Sequence, residues 1–275
     1  MKERLDVLVT KRGLAPSRER ARAYIMEGVV FVNGQREDKP GSFFDEDKIR
    51  ELIVKQDPIP YVSRGGLKLA RAIEYFGIDA EGLTCLDIGS STGGFTDCLL
   101  QNHAAKVFCV DSGTNQLDWR IRSDPRVVAM EQTNFRYLTS EDLPKGTVFD
   151  FACADVSFIS LTKIIPVAQK LIRTGGHMVC LIKPQFEAGR DKVGKKGVVR
   201  DKKVQEDVVN KICEFCTSIG FTVRGITESP ILGAEGNREF LLYIRKDAEA
   251  PESLPAKDGM DDGTLCADRQ QDQRS

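Results

Sequence analysis

The sequence predicts a two-part α/β protein, with a small α+β unit followed by a larger unit built on a parallel sheet. From residue 63 onward, short apolar segments alternate with helical segments, which is the pattern of a doubly wound sheet. The first 57 residues instead contain two short helical segments and an Asn33-Gly34 hairpin signal. A pair of prolines predicts a linker at residues 58–62.

Composition is that of an ordinary globular protein of 275 residues, 41% hydrophobic and 29% charged. No apolar run is long enough to span a bilayer, and the N-terminus has no apolar signal core, so we expect a cytoplasmic protein. Eight scattered cysteines suit a reducing compartment. Cys213 and Cys216 form a single C-x-x-C with two histidines in the whole chain, which favours one amphipathic helix over a zinc site.

Charge is distributed unevenly although the net charge is only -1. Residues 247–275 contain eight acids and three bases, and without them the remaining chain has a net charge of about +4. A positively charged body suits a polyanionic partner. The acidic segment, which also contains proline and glycine, is expected to be disordered.

Two helices and a hairpin are expected in the first unit. The helices are Arg4–Arg12 and Arg18–Glu27, the second capped by Ser17, and a strand at Val29–Val32 enters the hairpin turn. The first 22 residues contain seven bases and three acids. Arg18 and Arg22 share one helical face. By charge alone, contact with a phosphate backbone and a merely solvated face are equally good interpretations.

Seven strands and five helices are expected in the larger unit, residues 63–246. The predicted strands are Leu83–Ile88, Lys106–Asp111, Val127–Glu131, Phe149–Asp155, His177–Lys183, Phe221–Thr227 and Glu239–Arg245. The first predicted helix begins after Gly65-Gly66, with Leu67, Ala70, Ile73 and Tyr75 or Phe76 facing inward. The other predicted helices cover Gly94–Asn102, Gln116–Arg122, Ile159–Ile172 (closed by Gly175-Gly176) and the segment from Asp201 to Ser218. Residues 185–200 form a long basic loop, a type of segment that often serves as a lid or binding loop.

The stretch from Leu83 to Asp97 predicts a strand, a glycine turn and a helix start. Glycine permits positive φ and close approach of a ligand, and the free N–H groups of the helix start face that ligand. Such a turn marks a nucleotide-type cofactor site at the carboxyl end of a parallel sheet. The alternative is a plain βαβ unit with a glycine turn.

The details of this turn favour S-adenosylmethionine over a dinucleotide. Ser91 stands where the G-x-G-x-x-G fingerprint requires its second glycine. Asp87 precedes the first glycine, where an acid can hold a cationic or amino-acid group, and Asp111 ends the next strand, where an acid can accept ribose hydroxyls. This pair of acids fits a ligand with an adenosine and no phosphates.

Charged side chains at two strand ends predict a reactive site beside the cofactor. Asp155 ends the fourth strand and Lys183 the fifth, so both are expected to face the same cleft. Lys68 lies in a first helical turn, the unfavourable end for a cation, and Glu239 borders the last strand. Each also has an ordinary interpretation, as a helix cap or a solvated charge.

The N-terminal pattern resembles the S4 RNA-binding domain over about 45 residues. The resemblance is carried by Arg4-Leu-Asp, Ser17-Arg-Glu-Arg-Ala-Arg-Ala-x-Ile and Gly28-x-Val-x-Val-Asn-Gly. It implies a module that docks on structured RNA through shape and phosphates.

The four charged residues resemble the Lys-Asp-Lys-Glu tetrad of FtsJ-like RNA 2′-O-methyltransferases. They occur in Ser-Arg-Gly-Gly-x-Lys68-Leu, Ala-Asp155-Val-Ser-Phe-Ile-Ser, Ile-Lys183-Pro-Gln-Phe-Glu and Gly-Asn-Arg-Glu239-Phe. An S4 domain in front of such a domain resembles the hemolysin A (TlyA) family of ribosomal RNA cytidine 2′-O-methyltransferases. The resemblance runs from residue 1 to about 246 and implies S-adenosylmethionine as cofactor and ribosomal RNA of 16S type, 23S type or both as substrate.

The chemistry of 2′-O-methylation explains the residue types. A lysine whose pKa is lowered by burial and a neighbouring cation can take the proton of a ribose hydroxyl. Lys183 is the candidate base, Lys68 the neighbouring cation, and Asp155 and Glu239 hold the lysines. No metal is required. The Asn/Asp-Pro-Pro-Tyr/Phe pattern of amino-methyltransferases is absent, which argues against methylation of an exocyclic base nitrogen.

Two sets of binding residues follow from pattern and resemblance together. Those expected at the cofactor are Asp87, Gly89, Ser90, Ser91, Gly93, Gly94, Phe95, Asp111 and Asn134. Those expected at RNA are Arg4, Arg18, Arg20, Arg22, Arg64, Lys192, Lys195, Lys196 and Arg200. Two alternatives are a non-catalytic RNA-binding or ribosome-assembly factor and a membrane-lysing protein.

Overall fold

The computed structural model describes residues 2–15, 17–26, 28–55, 59–194 and 197–247. It divides into two compact units, Met1–Ile59 and Pro60–Ser275. Each unit is described separately below. Lys195, Lys196 and the acidic segment from residue 248 lie outside the described residues.

The first unit contains two helices and two small antiparallel sheets. In chain order the elements are β1 (Lys2–Arg4), α1 (Leu5–Lys11), α2 (Arg18–Met26), β2 (Val30–Val32), β3 (Gln35–Glu37), β4 (Phe43–Asp45), a 3₁₀ turn (Glu46–Lys48) and β5 (Leu52–Val54). One sheet has the order β3-β2-β5 and the other pairs β1 with β4. Asn33 and Gly34 both have positive φ, as the turn of the β2–β3 hairpin requires.

Both helices and the hairpin of this unit are confirmed, but one helix boundary was predicted wrongly and one strand was missed. Arg4 lies in a strand, where it pairs with Phe43, and not in the first helix. The strand around Phe43 was not predicted at all. The two strands are 40 residues apart in sequence, and a three-residue pairing of that kind leaves no local periodicity to detect.

The second unit is a seven-stranded sheet with helices on both faces. Its elements are α3 (Gly65–Phe76), β6 (Thr84–Ile88), α4 (Gly94–Gln101), β7 (Lys106–Val110), α5 (Trp119–Arg122), β8 (Val127–Met130), β9 (Phe149–Ala154), α6 (Ile165–Leu171), β10 (Ile172–Ile182), α7 (Pro184–Glu187), α8 (Lys202–Ser218), β11 (Phe221–Glu228) and β12 (Phe240–Lys246). The strand order is β11-β12-β10-β9-β6-β7-β8. The five strands from β10 to β8 are parallel, and β12 is antiparallel to both of its neighbours.

This order creates a switch point between β6 and β9. From β6 the chain moves outward to β7 and β8, and it then returns to place β9 on the other side of β6. In open parallel sheets the crevice at such a reversal, outside the carboxyl ends of the strands, is where ligands bind. Both predicted reactive segments, the turn after β6 and the end of β9, therefore meet there.

The predicted helix at Ile159–Ile172 is the largest boundary error in this unit. The structure has a 3₁₀ turn at Leu161–Lys163, a shorter α6, and a strand that already starts at Ile172. Ile172 pairs with Phe149, and the register then shifts before His177. Gly175 and Gly176 thus lie within β10 at an irregularity and do not close a helix, since glycine tolerates the bulged backbone.

Two further helices differ in detail. The predicted helix Gln116–Arg122 starts only at Trp119, because the Asp118 side chain accepts a hydrogen bond from Arg120 N and caps it there. In α3 the buried positions are Gly66, Lys68, Leu69 and Ala72. The residues predicted to face inward are only partly buried, and Tyr75 among them is exposed.

Cysteines 213 and 216 are both buried on α8 and belong to the apolar core between this helix and the sheet. This confirms the amphipathic-helix interpretation of the C-x-x-C spacing.

Candidate active site

The glycine turn after β6 forms the floor of the crevice. Gly89 and Gly93 have φ of +80° and +92°. A Cβ on Gly89 would lie 2.7 Å from the carbonyl oxygen of Asp155, so only glycine lets the ends of β6 and β9 come this close. Ser91 N donates to Asp111 Oδ2 at 2.9 Å, which connects the turn to the end of β7.

Gly93 and Gly94 have a structural reason that sequence analysis did not recognise. A Cβ on Gly93 would lie 2.9 Å from Leu117 Cδ1, and one on Gly94 would lie 2.9 Å from Gly66 N. These glycines therefore let the segment before α5 and the start of α3 pack against the start of α4. Both glycines are buried beneath the crevice, where they permit this close packing.

Asp87 lies beneath the turn, with 1% of its surface exposed. Its Oδ2 accepts a hydrogen bond from Thr96 Oγ1 at 2.6 Å, and its Oδ1 accepts none within the described part of the chain. Burial raises the pKa of Asp87 to about 7. A buried acceptor without a partner costs free energy. A donor group of a bound ligand, or a proton, would satisfy this oxygen.

The titration of Asp87 predicts an unusual pH dependence of stability. An unfolded aspartate has a pKa of about 3.9, so between about pH 4 and pH 7 the folded chain holds a proton that the unfolded chain has released. The contribution of Asp87 to the free energy of unfolding therefore decreases as the pH rises through this window. Relative to Asp87→Asn, the wild type should lose several kcal/mol between pH 5 and pH 8 in urea unfolding of the cofactor-free protein. Parallel pH profiles for the two proteins would refute the assigned titration.

The other predicted cofactor residues divide into exposed and buried groups. Ser91 and Asn134 are exposed and Asp111 is half-buried, with its Oδ1 accepting from Gly113 N at 2.7 Å. Ser90 and Phe95 are 7% and 3% exposed. Phe95 packs in the core below the turn, so its side chain supports the crevice instead of facing it.

Lys68, Asp155, Lys183 and Glu239 form one continuous ion-pair network. Lys183 Nζ lies 2.5 Å from Asp155 Oδ1, and Lys68 Nζ lies 3.4 Å from Asp155 Oδ2. Lys68 Nζ also donates to Glu239 Oε2 at 2.8 Å. Their side chains are between 2% and 20% exposed. The sequence-based expectation that these four side chains meet agrees with this geometry.

Sheet register explains why residues so far apart in sequence meet. Ala154 pairs with Cys180 and with Ile88, so Asp155 emerges beside the glycine turn. Because β12 runs antiparallel, its first residue Phe240 pairs with Ile182. Glu239 therefore lies at the same edge as the parallel strand ends.

Lys68 and Asp155 keep opposite charges in spite of burial. Burial lowers the pKa of Lys68, but the carboxylates of Asp155 and Glu239 raise it further, so that it ends above its usual value. Burial raises the pKa of Asp155, and the two lysines lower it by more. Glu239 and Asp155 together hold Lys68 as a fixed cation. These two ion pairs compensate for the unfavourable position of a cation in the first turn of α3.

Lys183 differs from Lys68 in its partners. Among the described carboxylates it contacts Asp155 alone, and it donates to the Ser157 hydroxyl at 2.9 Å. Lys183 is therefore less enclosed by negative charge than Lys68, which pairs with two carboxylates. Ser157 was not singled out from the sequence, although it lies within the motif that contains Asp155.

Phe158, next in the chain, was also missed. It is 90% exposed and has a φ of +64°, which is rare for a bulky residue. Its ring centroid lies 5.0 Å from that of Phe186, three residues after Lys183. An exposed, strained aromatic residue beside reactive groups is typical of a ligand contact. The available signal in the sequence was the position of Phe158 in the same motif as Asp155.

Glu187 connects the two loops that contain these residues. It is 7% exposed, and its carboxylate accepts from Ser160 Oγ at 2.6 Å and from Leu161 N at 2.7 Å. The segment after β9 is thereby bonded to α7, which directly follows Lys183. Burial raises the pKa of Glu187.

The predicted RNA-contacting residues occupy varied environments. In the first unit, Arg4 and Arg18 both pair with buried Asp6, at 2.9 and 3.1 Å, and the Arg20 guanidinium lies 5.0 Å from the Tyr24 ring centroid. Arg22 is exposed. In the second unit, Arg64 precedes α3, and Lys192 and Arg200 are exposed at the two ends of the basic segment. Asn237 anchors the later end by accepting from Val199 N at 3.1 Å.

Membrane-spanning helices and metal-binding clusters are both absent from the described residues. No helix there is long and apolar enough to cross a membrane. No group of three or more His, Cys, Asp and Glu side chains in these ranges is arranged to hold a metal ion.

Comparison with known proteins assigns both units. Residues 61–246 match the model of the FtsJ-like methyltransferase family, and residues 3–47 match the S4 domain. YqxC of Bacillus subtilis (strain 168) is 51% identical over 261 residues, which cover 94% of this chain and 92% of YqxC. The 16S/23S rRNA (cytidine-2′-O)-methyltransferase TlyA of Mycobacterium tuberculosis (strain CDC 1551 / Oshkosh) is 39% identical over 259 residues, covering 94% of each chain.

A solved structure of a candidate hemolysin from Streptococcus thermophilus superposes with a TM-score of 0.71 at 48% identity. It covers 90% of this chain and 89% of that one. Fold and domain order agree with these comparisons. The chain belongs to the FtsJ-like methyltransferase family, in the group that carries an S4 domain and includes TlyA and hemolysin A.

Proposed function

We propose that this protein uses S-adenosylmethionine to methylate the 2′-hydroxyl of a ribose, that of a cytidine, in ribosomal RNA of 16S type, 23S type or both. The observation that carries the proposal is the Lys68–Asp155–Lys183–Glu239 network at the switch point, directly beside the glycine turn. The name of the M. tuberculosis relative supports the choice of nucleotide and substrate.

The crevice suits S-adenosylmethionine in three respects. Gly89 leaves room at the turn, Ser91 and Asn134 are exposed around it, and Asp111 has carboxylate lone pairs available besides those used by two backbone N–H groups. The unpartnered Asp87 Oδ1 below the turn is a further acceptor. When bound, the cofactor supplies an electrophilic methyl group on a sulfonium.

Lys183 acts as the general base in this proposal. The ribose hydroxyl is a weak nucleophile, so its proton must leave as the oxygen attacks, and the neutral amine of Lys183 receives it. Lys68, held cationic by two carboxylates, shares Asp155 with Lys183. Asp155 orients both amines, and Glu239 holds Lys68 in place. General acid–base groups of this kind contribute about 10²- to 10⁴-fold in rate.

The S4 domain supplies contacts with structured RNA. Its exposed Arg22, together with Arg20 on the same helix, is placed to meet phosphates. Arg4 and Arg18 both form ion pairs with the buried carboxylate of Asp6. Removing either arginine therefore also leaves this buried charge less well paired. Arg22 is therefore the cleaner position at which to test RNA contact.

The decisive experiment is methyl transfer to isolated 30S and 50S subunits from a strain that lacks this protein. Tritiated methyl groups should appear on at least one subunit, and mapping should place them on a cytidine 2′-oxygen. Absence of transfer to either subunit would overturn the proposal.

Phe158→Ala should lower kcat/KM by about 10- to 100-fold. Stacking of a base on an aromatic ring is worth about 1–3 kcal/mol, and a target nucleotide must leave its stack to reach Lys183. Because Phe158 is 90% exposed, the thermal midpoint should change little. Phe158→Tyr keeps the stacking face and should retain most activity. Equal losses in both variants would exclude stacking as its role.

A further inference from the structure

Three arginines form a cluster at the end of the sheet opposite the tetrad. Arg173 lies near the start of β10, Arg224 near the start of β11, and Arg245 near the end of the antiparallel β12. Arg224 and Arg245 are exposed, and the Arg173 side chain is 50% exposed. We call these residues the arginine cluster.

Two backbone irregularities occur at the arginine cluster, one in β10 and one between β11 and β12. Arg245 pairs in register with His177 and Thr222, and the register shift between Val223 and Gly225 makes Arg224 the extra residue of a bulge. A Cβ on Gly175 would lie 3.5 Å from Arg245 Nη2 and 3.7 Å from Arg173 Nη1. The two guanidiniums therefore flank the same glycine.

The cluster has an excess of positive charge. Arg173 Nε lies 2.7 Å from Asp150 Oδ1, whereas no ion pair joins Arg224 or Arg245 to an acid among the residues that the structure describes. The pKa of the nearby His177 is lowered, first by burial and then by the positive charges of the three arginines. Like charges held this close repel each other, so a bound anion would stabilise the arrangement.

Aromatic side chains extend this surface along α3. Tyr75 is 53% exposed, and the Arg71 guanidinium lies 4.8 Å from its ring centroid. Phe76 stacks on Tyr243 with centroids 5.1 Å apart, and a Cβ on Gly225 would touch Phe76 at 2.7 Å. Exposed arginines interleaved with aromatic rings are typical of surfaces that bind nucleic acid.

We propose that the arginine cluster is a second RNA-binding surface, which contacts the phosphate backbone of the same substrate RNA far from the reaction centre. Guanidinium groups bind phosphate oxygens through two parallel hydrogen bonds. Five residues of β10 lie between His177 and Lys183, a distance of about 20 Å along an extended strand. A substrate that contacts both places at once must span at least this distance, as a structured RNA does. This inference rests on the proposed function, in which the substrate is ribosomal RNA.

The test compares the full-length Arg224→Gln/Arg245→Gln variant with a Lys145→Gln/Lys170→Gln control. The control removes the same charge from two exposed lysines of the same unit. Affinity for ribosomal subunits is measured over a salt series, together with methyl transfer and binding of S-adenosylhomocysteine.

For the arginine variant we expect about tenfold weaker subunit binding and a salt slope reduced by about 2, one for each lost phosphate contact. The kcat/KM for subunits should fall in parallel, whereas kcat at saturating subunit and the affinity for S-adenosylhomocysteine should match those of the control. Affinity and slope equal to those of the control would overturn the inference. Tighter RNA binding by the arginine variant would also overturn it, because the two guanidiniums would then oppose RNA binding. If the wild type itself neither bound nor methylated any subunit, the proposed function would fail first.

Discussion

Lys183→Met should reduce methyl transfer to ribosomal subunits by about 10²- to 10⁴-fold, the range of contributions from a general base. Methionine keeps the length and apolar stem of lysine but cannot accept a proton. Binding of S-adenosylhomocysteine should stay within about twofold, because Lys183 contacts Asp155 and Ser157 and not the glycine turn. The measurement is single-turnover transfer of a tritiated methyl group, with the cofactor affinity determined by calorimetry.

The matched control for this variant is Lys163→Met. Lys163 is an exposed lysine at the end of the 3₁₀ turn that follows the Asp155 loop, and it makes no contact with the tetrad. Its replacement should leave the rate unchanged. If Lys183→Met retained wild-type single-turnover rates across pH 6 to 9, the assignment of the base would be wrong.

Gly89→Ala should cost the protein at least about tenfold in cofactor affinity and a larger factor in activity. The added Cβ would lie 2.7 Å from the carbonyl oxygen of Asp155, at a φ of +80° that alanine adopts only with strain of order 1–3 kcal/mol. Relief of this contact moves the end of β9 away from the turn. The same movement displaces Asp155, which positions both lysines.

Gly82→Ala separates the effect of backbone strain from the effect of the steric clash with Asp155. Gly82 has a comparable φ of +71°, yet no atom lies within 4 Å of the position of its Cβ. It should show the backbone strain as a lower thermal midpoint and keep the affinity for S-adenosylhomocysteine. Equal losses of cofactor affinity in both variants would show that strain alone, and not the crowded approach of β6 and β9, explains the result at Gly89.

Local patterns were sufficient to predict two of the four tetrad residues, Asp155 and Lys183. In a parallel sheet every strand presents its carboxyl end at one edge, so an acid or a lysine that directly follows a buried strand must lie at that edge. Asp155 and Lys183 satisfy this rule without any knowledge of strand order. The assignment of Lys68 and Glu239 to the same site depended on family resemblance, since neither follows a parallel strand.

Local patterns failed to predict strand boundaries and side-chain roles that depend on non-local pairing or on burial. The pairing of β1 with β4 and the early start of β10 at Ile172 depend on partners distant in sequence. The ion pairs of Arg4 and Arg18 with Asp6 depend on a carboxylate that is fully buried. Charge counting treats these arginines like the exposed Arg22, because it has no measure of burial.

The sequence by itself determined the fold class, the order of the two units, and the residue types of a methyl-transfer site, because hydrophobic periodicity, glycine turns and strand-end charges are local properties. The tertiary structure decided how the charges divide within that site. It placed two carboxylates around Lys68 and one around Lys183, buried Asp87 beneath the turn, and gathered three arginines at the far end of the sheet. These features depend on distances between residues remote in sequence, and electrostatic interactions change with distance and burial, which no local pattern records.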